Sequence, residues 1–237
     1  MSKTYRGYTR EQIAKTIDHS VLKPDFKTSD VEAGAAVALK YDVASYCIRP
    51  MDVRLAATLL AGSNVPVCTV IGFPHGTTTS ATKGFEAAEA VRNGATEIDM
   101  VINISALLSG DYDLVQRDIR AVVDSTRMAA HDLGVSASVK VIFETSYLND
   151  ELIIKACELT EAGGADYVKT STGFSTEGAT VHNVSLMKQT VGDRLKVKSS
   201  GGVRTVDQLC DFMDCGVTRS GSSNTEAILA DFDAKAE

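Results

Sequence analysis

Short apolar runs recur along the chain, each followed by a polar turn and then a stretch with helical spacing. The runs fall at about 16–22, 43–49, 65–72, 96–103, 136–145, 165–172, 195–201 and 216–222. They are rich in Val, Ile and Thr and are bounded by Gly, Asn, Asp or Pro, as buried strands are. The intervening segments include 80–92, 112–131, 150–162 and 205–213, where apolar and alanine positions share one helical face. Thr28 and Asn149 stand where N-caps belong, and Gly94, Gly134, Gly163 and Gly216 where helices stop. Eight such units in 237 residues predict a (β/α)8 TIM barrel with a short N-terminal helix, as one domain over residues 1–237. An open doubly wound sheet is the runner-up, but no GxGxxG follows the first run.

Composition agrees with an ordinary globular protein. Hydrophobic residues make up 44% and charged residues 23%, so the chain can bury a large core without disulfide or metal staples. A net charge of -7 argues against nonspecific binding to nucleic acid or an anionic membrane. No apolar run approaches the roughly 18 residues of a membrane span, and the first residues hold no signal-peptide core. The five cysteines form no CxxC pair, which suits reduced thiols and a cytoplasmic location.

In such a barrel, chemistry gathers at the C-terminal ends of the strands. Lys169 interrupts the apolar sixth run just before Thr170-Ser171-Thr172-Gly173-Phe174. A desolvated lysine there is a candidate amine nucleophile for a carbonyl; the bland alternative is a strand-end lysine snorkelling to solvent. Lys198 ends the seventh run in the same way. Neighbouring strands lie ~4.8 Å apart, so the two lysines are placed to approach, and a second cation disfavours protonation of the first. Asp99 lies among Ile98, Met100, Val101 and Ile102, where a carboxylate needs a reason. Alternate strands share a layer inside a barrel, so Asp99 on the fourth strand and Lys169 on the sixth are placed to meet. That pairing reads equally as a proton shuttle or as a buried ion pair. Lys140 adds another internal charge and is a candidate counter-ion for Asp99.

Small residues follow strands six, seven and eight, namely Gly173-Phe174, Gly201-Gly202 and Ser220 to Asn224. Barrels often bind phosphate after the last two strands, on backbone N–H groups and a helix N-terminus. His19, His75, His131 and His182 are scattered without ligand spacing, so no metal site is expected. His75 reads as a loop-shaping or rim residue.

Seven segments then align with one family: IDHSVLKP (17–24), YCIRP with Cys47 and Pro50, IGFPHG (71–76), EIDMVIN (97–103), KVIFET (140–145), YVKTSTGF (167–174) and KSSGGVRT (198–205). Over about residues 17–229 the chain resembles the deoxyribose-phosphate aldolases, class I (Schiff-base) aldolases with a (β/α)8 fold. The resemblance implies reversible cleavage of 2-deoxy-D-ribose 5-phosphate to D-glyceraldehyde 3-phosphate and acetaldehyde, without a cofactor. It implies that Lys169 forms the Schiff base, that Lys198 keeps its neighbour's amine unprotonated, and that Asp99 takes part in a proton relay through water. It assigns the phosphate to Gly173, Gly201, Gly202, Gly221, Ser222 and Ser223. Lys140 and Cys47 are separate candidates for supporting residues. It also implies small-molecule phosphosugar and aldehyde substrates, no nucleic-acid or membrane partner, and a homodimer or homotetramer. Departures from the family pattern are Ser199 for the usual alanine, Arg49 for asparagine or histidine, an altered loop at 219–225, and no tyrosine after Tyr167. They bear on phosphate affinity and substrate breadth, and leave two other readings: a Schiff-base aldolase for another aldehyde pair, or a sugar-phosphate-binding barrel without turnover.

Overall fold

In the computed structural model, which describes residues 3–237, the apolar runs become parallel strands. They are β1 (Ile17–Val21), β2 (Ser45–Ile48), β3 (Val67–Ile71), β4 (Glu97–Val101), β5 (Ser138–Ile142), β6 (Tyr167–Lys169), β7 (Lys196–Ser200) and β8 (Arg219–Ser222). Each pairs with the next in chain order, and β8 pairs back with β1, so the barrel closes.

Helix α1 (Arg10–Ala14) precedes the barrel. Its start is fixed by a capping box between Thr9 and Gln12. The crossovers carry α2 (Thr28–Tyr41), α3 (Val53–Leu59), α4 (Ser80–Arg92), α5 (Ile104–Leu108), α6 (Tyr112–Leu133), α7 (Asp150–Gly163), α8 (Val181–Val191) and α9 (Val206–Asp214), and α10 (Thr225–Lys235) follows β8. Among the described residues no helix is long and apolar enough to cross a membrane.

Side chains alternate across a strand, so each barrel strand has a helix-facing and an inward-facing set. Ile17, Ile48, Ile71, Ile98, Val141, Val168 and Val197 join Val31, Ala87, Ile119, Ala156 and Leu209 of the helices in one continuous core. The layer tolerates little added volume where α2 crosses β1 and β2. The Tyr46 hydroxyl donates to the Val31 carbonyl at 2.7 Å, and a Cβ on Gly34 would stand 2.6 Å from Val21 and 2.7 Å from the Tyr46 oxygen. A small second cluster, Cys47, Cys68 and Val70, lies inside the barrel with Leu22 and Phe73 against it.

Two predicted boundaries need correction. Thr28 is not an N-cap: it is already helical, Lys27 holds the cap position, and Asp30 accepts the Lys27 N–H at 2.7 Å. Gly163 stays within α7, and Gly164, at φ +82°, ends it. The first residues also form an unforeseen antiparallel hairpin, Thr4–Tyr5 with Tyr8–Thr9. It is tied to α9 by Tyr5 on Asp207 and by Arg6 on Asp211 and Asp214, while Thr4 and Glu237 exchange backbone hydrogen bonds. Asn149 does cap α7, accepting the Leu152 N–H at 2.9 Å.

Candidate active site

Six inward-facing positions of the barrel strands carry charges that pair with one another. Lys140 Nζ lies 2.7 Å from Glu97 and 2.9 Å from Asp99 Oδ1. Lys198 Nζ lies 2.7 Å from Asp99 Oδ2 and 2.5 Å from Asp18. Arg219 joins Asp18 at 2.6 Å to Glu97 at 2.7 Å. The contacts therefore close into a ring of alternating sign: Glu97, Lys140, Asp99, Lys198, Asp18, Arg219 and back to Glu97. Three carboxylates face three cations, so the ring is neutral by itself. Such burial of charge is tolerable only when each group is paired in this way.

Lys169 is the additional cation. Its Nζ touches the ring at one point, Asp99 Oδ2, at 2.7 Å. It is register partner to Lys198 on the adjacent strand and is 2% exposed, at the wall of the large cavity. The ring does not need its charge for neutrality, unlike that of Lys140, Lys198 or Arg219.

The electrostatics follow from the contacts. Burial alone would raise the Asp99 carboxyl, but Lys140, Lys169 and Lys198 together hold it well below the ordinary carboxylate range. Asp18 is held down against its burial in the same way, by Lys198, Lys140 and Arg219. Burial disfavours the Lys198 ammonium, yet Asp18 and Asp99 outweigh this and push it up. Lys140 is likewise pushed up, chiefly by Asp99. Lys198 and Lys140 are therefore fixed cations at neutral pH.

A cavity of about 920 Å³ opens above this layer. Lys169, Lys198 and Cys47 reach it, and its walls include Gly173, Gly201, Gly202, Gly221, Ser222 and Ser223. The structure thus gathers every residue named for the phosphate around one space. Gly201 and Gly202 take φ of +87° and +83°, a backbone that side chains resist, which turns the chain sharply beside the cavity. Asn224 borders the same space and immediately precedes α10, whose N-terminus favours an anion. The Ser222 hydroxyl is engaged internally, donating to the Val203 carbonyl at 2.8 Å and accepting the Asn224 N–H at 3.0 Å.

Several participants carried no assignment from sequence. Asp18, Glu97 and Arg219 complete the ring. Gly178 packs against Gly201 so tightly that a Cβ there would stand 2.1 Å from the Gly201 carbonyl oxygen. Lys23, Pro24, Asp25 and Phe26 form a further wall. Arg49 holds that loop: its guanidinium donates to the carbonyls of Lys23 at 3.1 Å and Phe26 at 3.0 Å and pairs with Asp52 at 2.6 Å. His75 lines a different, neighbouring cavity of about 520 Å³, which shares Thr172 and Phe174 with the first.

Cys47 Sγ, Cys68 Sγ and a carboxylate oxygen of Asp99 lie within 4.8 Å of one another. The donor set suits a soft cation, but the Asp99 carboxylate already faces Lys140, Lys169 and Lys198. Those ammonium groups oppose a divalent ion at the same point.

Barrel, pendant lysine and glycine-rich rim together define an enzyme of the aldolase class. The sequence model of the DeoC/LacD family aldolases matches residues 12–221. A deoxyribose-phosphate aldolase of Streptococcus gordonii is 50% identical over 218 residues, covering 92% of this chain and 96% of its own length. One from Bacillus cytotoxicus is 51% identical over 217 residues, covering 92% and 94%. Among solved structures, the aldolase QR15 superposes with a TM-score of 0.86 at 38% identity, over 94% of this chain and 96% of its own. The tetrameric deoxyribose phosphate aldolase of Aeropyrum pernix superposes with a TM-score of 0.87 at 28% identity, over 95% and 93%. The chain belongs to the DeoC/LacD family of aldolases.

Proposed function

We propose that this aldolase, acting as one barrel over residues 1–237, reversibly cleaves 2-deoxy-D-ribose 5-phosphate to D-glyceraldehyde 3-phosphate and acetaldehyde through an imine on Lys169. The observation that carries the reading is the pendant position of Lys169 on an ionic ring that is already neutral. Attack on a carbonyl requires an unprotonated amine, and of the clustered cations Lys169 is the one whose proton the ring can lose without charge imbalance. The fixed ammonium of Lys198 beside it opposes a second positive charge.

The chemistry runs on these groups. The Lys169 amine adds to C1 of the open-chain sugar, and loss of water gives the iminium. The C2–C3 bond then breaks, its electrons flowing into the iminium to give an enamine, while the C3 hydroxyl loses its proton and leaves as the aldehyde of glyceraldehyde 3-phosphate. Protonation of the enamine at C2 and hydrolysis release acetaldehyde and restore the amine. Asp99 Oδ2, 2.7 Å from Lys169 Nζ, accepts a hydrogen bond from the amine. Its cation neighbours keep it ionised, so it takes part in the relay by orienting the amine and a water that carries the proton. The phosphate is assigned to Gly173, Gly201, Gly202, Gly221, Ser222 and Ser223, with Ser222 acting through its backbone. Lys140 supports Asp99, and Cys47 shapes the wall beside the amine.

The relatives named for deoxyribose phosphate support the substrate. The setting proposed is a cytoplasmic homodimer or homotetramer acting on small phosphosugars and aldehydes, and the Aeropyrum pernix tetramer supports such an assembly. The test is a product assay with purified protein and 2-deoxyribose 5-phosphate. Equal amounts of acetaldehyde and glyceraldehyde 3-phosphate support the reading. Saturable binding with no products, or turnover only with a different aldehyde pair, contradicts it.

A further inference from the structure

Glu144 lies outside the ionic ring, two residues beyond β5, and its carboxylate is buried, at 2% residue exposure. Its backbone is left-handed, at φ +56°, which a side chain with a Cβ rarely adopts. Both carboxylate oxygens accept the Thr172 backbone N–H, at 3.4 and 3.3 Å, and one also accepts the Thr172 hydroxyl. The Thr172 oxygen in turn accepts the Phe174 N–H at 3.0 Å. One carboxylate thereby fixes the turn that carries Gly173, and a Cβ on Gly173 would lie 3.9 Å from the Cα of Gly201. The two glycine-bearing edges of the cavity therefore lie side by side, and Glu144 is bonded to one of them. Burial pushes its carboxyl above the ordinary range despite the Thr172 bonds and the nearby charge of Lys169. A buried acid held at such a disadvantage, with strained backbone, fits a group retained for what it positions.

We propose that Glu144 is a positioning residue for phosphate recognition: acting through Thr172, it places the Gly173 edge of the cradle and so sets the preference for phosphorylated over unphosphorylated sugar. The proposal rests on the assignment of Lys169 as the amine and of the glycine edges as the phosphate site. It distinguishes Glu144 from the ring residues, which govern the amine and not the far end of the substrate.

The experiment compares kcat/KM for 2-deoxyribose 5-phosphate with that for unphosphorylated 2-deoxyribose, in the intact protein and in Glu144→Ala, Glu144→Gln and Thr172→Val. Losing a hydrogen bond to a charged group lowers the ratio about tenfold or more in Glu144→Ala and Thr172→Val, mainly through KM for the phosphate ester. Glu144→Gln, which keeps one acceptor oxygen, restores part of the preference. Acetaldehyde carries no phosphate, so borohydride trapping on Lys169 proceeds in the wild type and in every folded variant. If Glu144→Ala does not fold, Thr172→Val decides alone. An equal loss on both sugars, or an unchanged ratio, overturns the proposal and leaves Glu144 a structural residue. Absence of a Lys169 adduct in the wild type overturns the amine assignment itself, and the proposal with it.

Discussion

Lys169 and Lys198 are register partners on adjacent strands, and both donate to the same oxygen of Asp99, at 2.7 Å each. They differ in what else they touch. Lys198 also pairs with Asp18 and is locked as a cation, whereas Lys169 has Asp99 alone. Replacing Lys198 with leucine removes the fixed positive charge beside the amine. Turnover at neutral pH then falls severalfold. Steady-state kinetics between pH 6 and 10 check this. An unchanged profile removes Lys198 from the mechanism.

Asp99 is the shared anion of three buried lysines. Asp99→Asn leaves Lys140, Lys169 and Lys198 without their shared anion, a loss of about 3–5 kcal/mol for a broken buried pair. Asp99 and Asp18 are held below their ordinary values, so their contribution is complete above about pH 4 and is lost as pH falls through the folded-state values. Lys140 and Lys198 are pushed up, so theirs is complete below about pH 10 and is lost as pH rises further. Denaturant midpoints therefore plateau between these limits. In Asp99→Asn, the acid-side decline is shallower and the midpoint at pH 7 is lower.

Arg49 gives a prediction of a different kind. Its guanidinium fixes the carbonyls of Lys23 and Phe26, and so the loop that walls the cavity. Arg49→Ala frees that loop and also leaves Asp52 without its partner. The expected stability cost is about 1–3 kcal/mol. KM rises severalfold while kcat with saturating substrate changes little, because neither Lys169 nor Asp99 touches Arg49. A fall in kcat with unchanged KM contradicts this role.

Gly178 tests the cradle from behind. Alanine there drives a Cβ to 2.1 Å from the Gly201 oxygen and 2.4 Å from its carbonyl carbon, both backbone atoms. The 173–179 and 201–202 segments must separate. We expect a higher KM for the phosphate ester, with trapping of acetaldehyde on Lys169 unaffected. Wild-type KM in Gly178→Ala indicates that the cradle does not hold the phosphate.

Much of this was legible along the chain because charge inside an apolar run is a strong local signal. Asp99, Lys140, Lys169 and Lys198 each sit one position from aliphatic neighbours, and strand alternation sends them inward together. Asp18 carries a similar signal, but His19 and Ser20 beside it make its strand look polar. The ring itself has no local signature. Asp18 meets Arg219 only because β8 closes on β1, which joins positions at opposite ends of the chain. Gly178 reads as an ordinary loop glycine until the backbone of Gly201 is seen against it. The N-terminal hairpin escaped because its strands are two residues each, too short to show alternation.

Lys169 is the amine proposed to bond to substrate. Incubation with acetaldehyde, reduction with borohydride and peptide mass spectrometry test it most directly. A two-carbon adduct confined to Lys169, lost in Lys169→Ala while Lys140 and Lys198 stay unmodified, is the predicted result. Labelling spread over surface lysines, or an adduct on Lys198 with Lys169 untouched, contradicts the account.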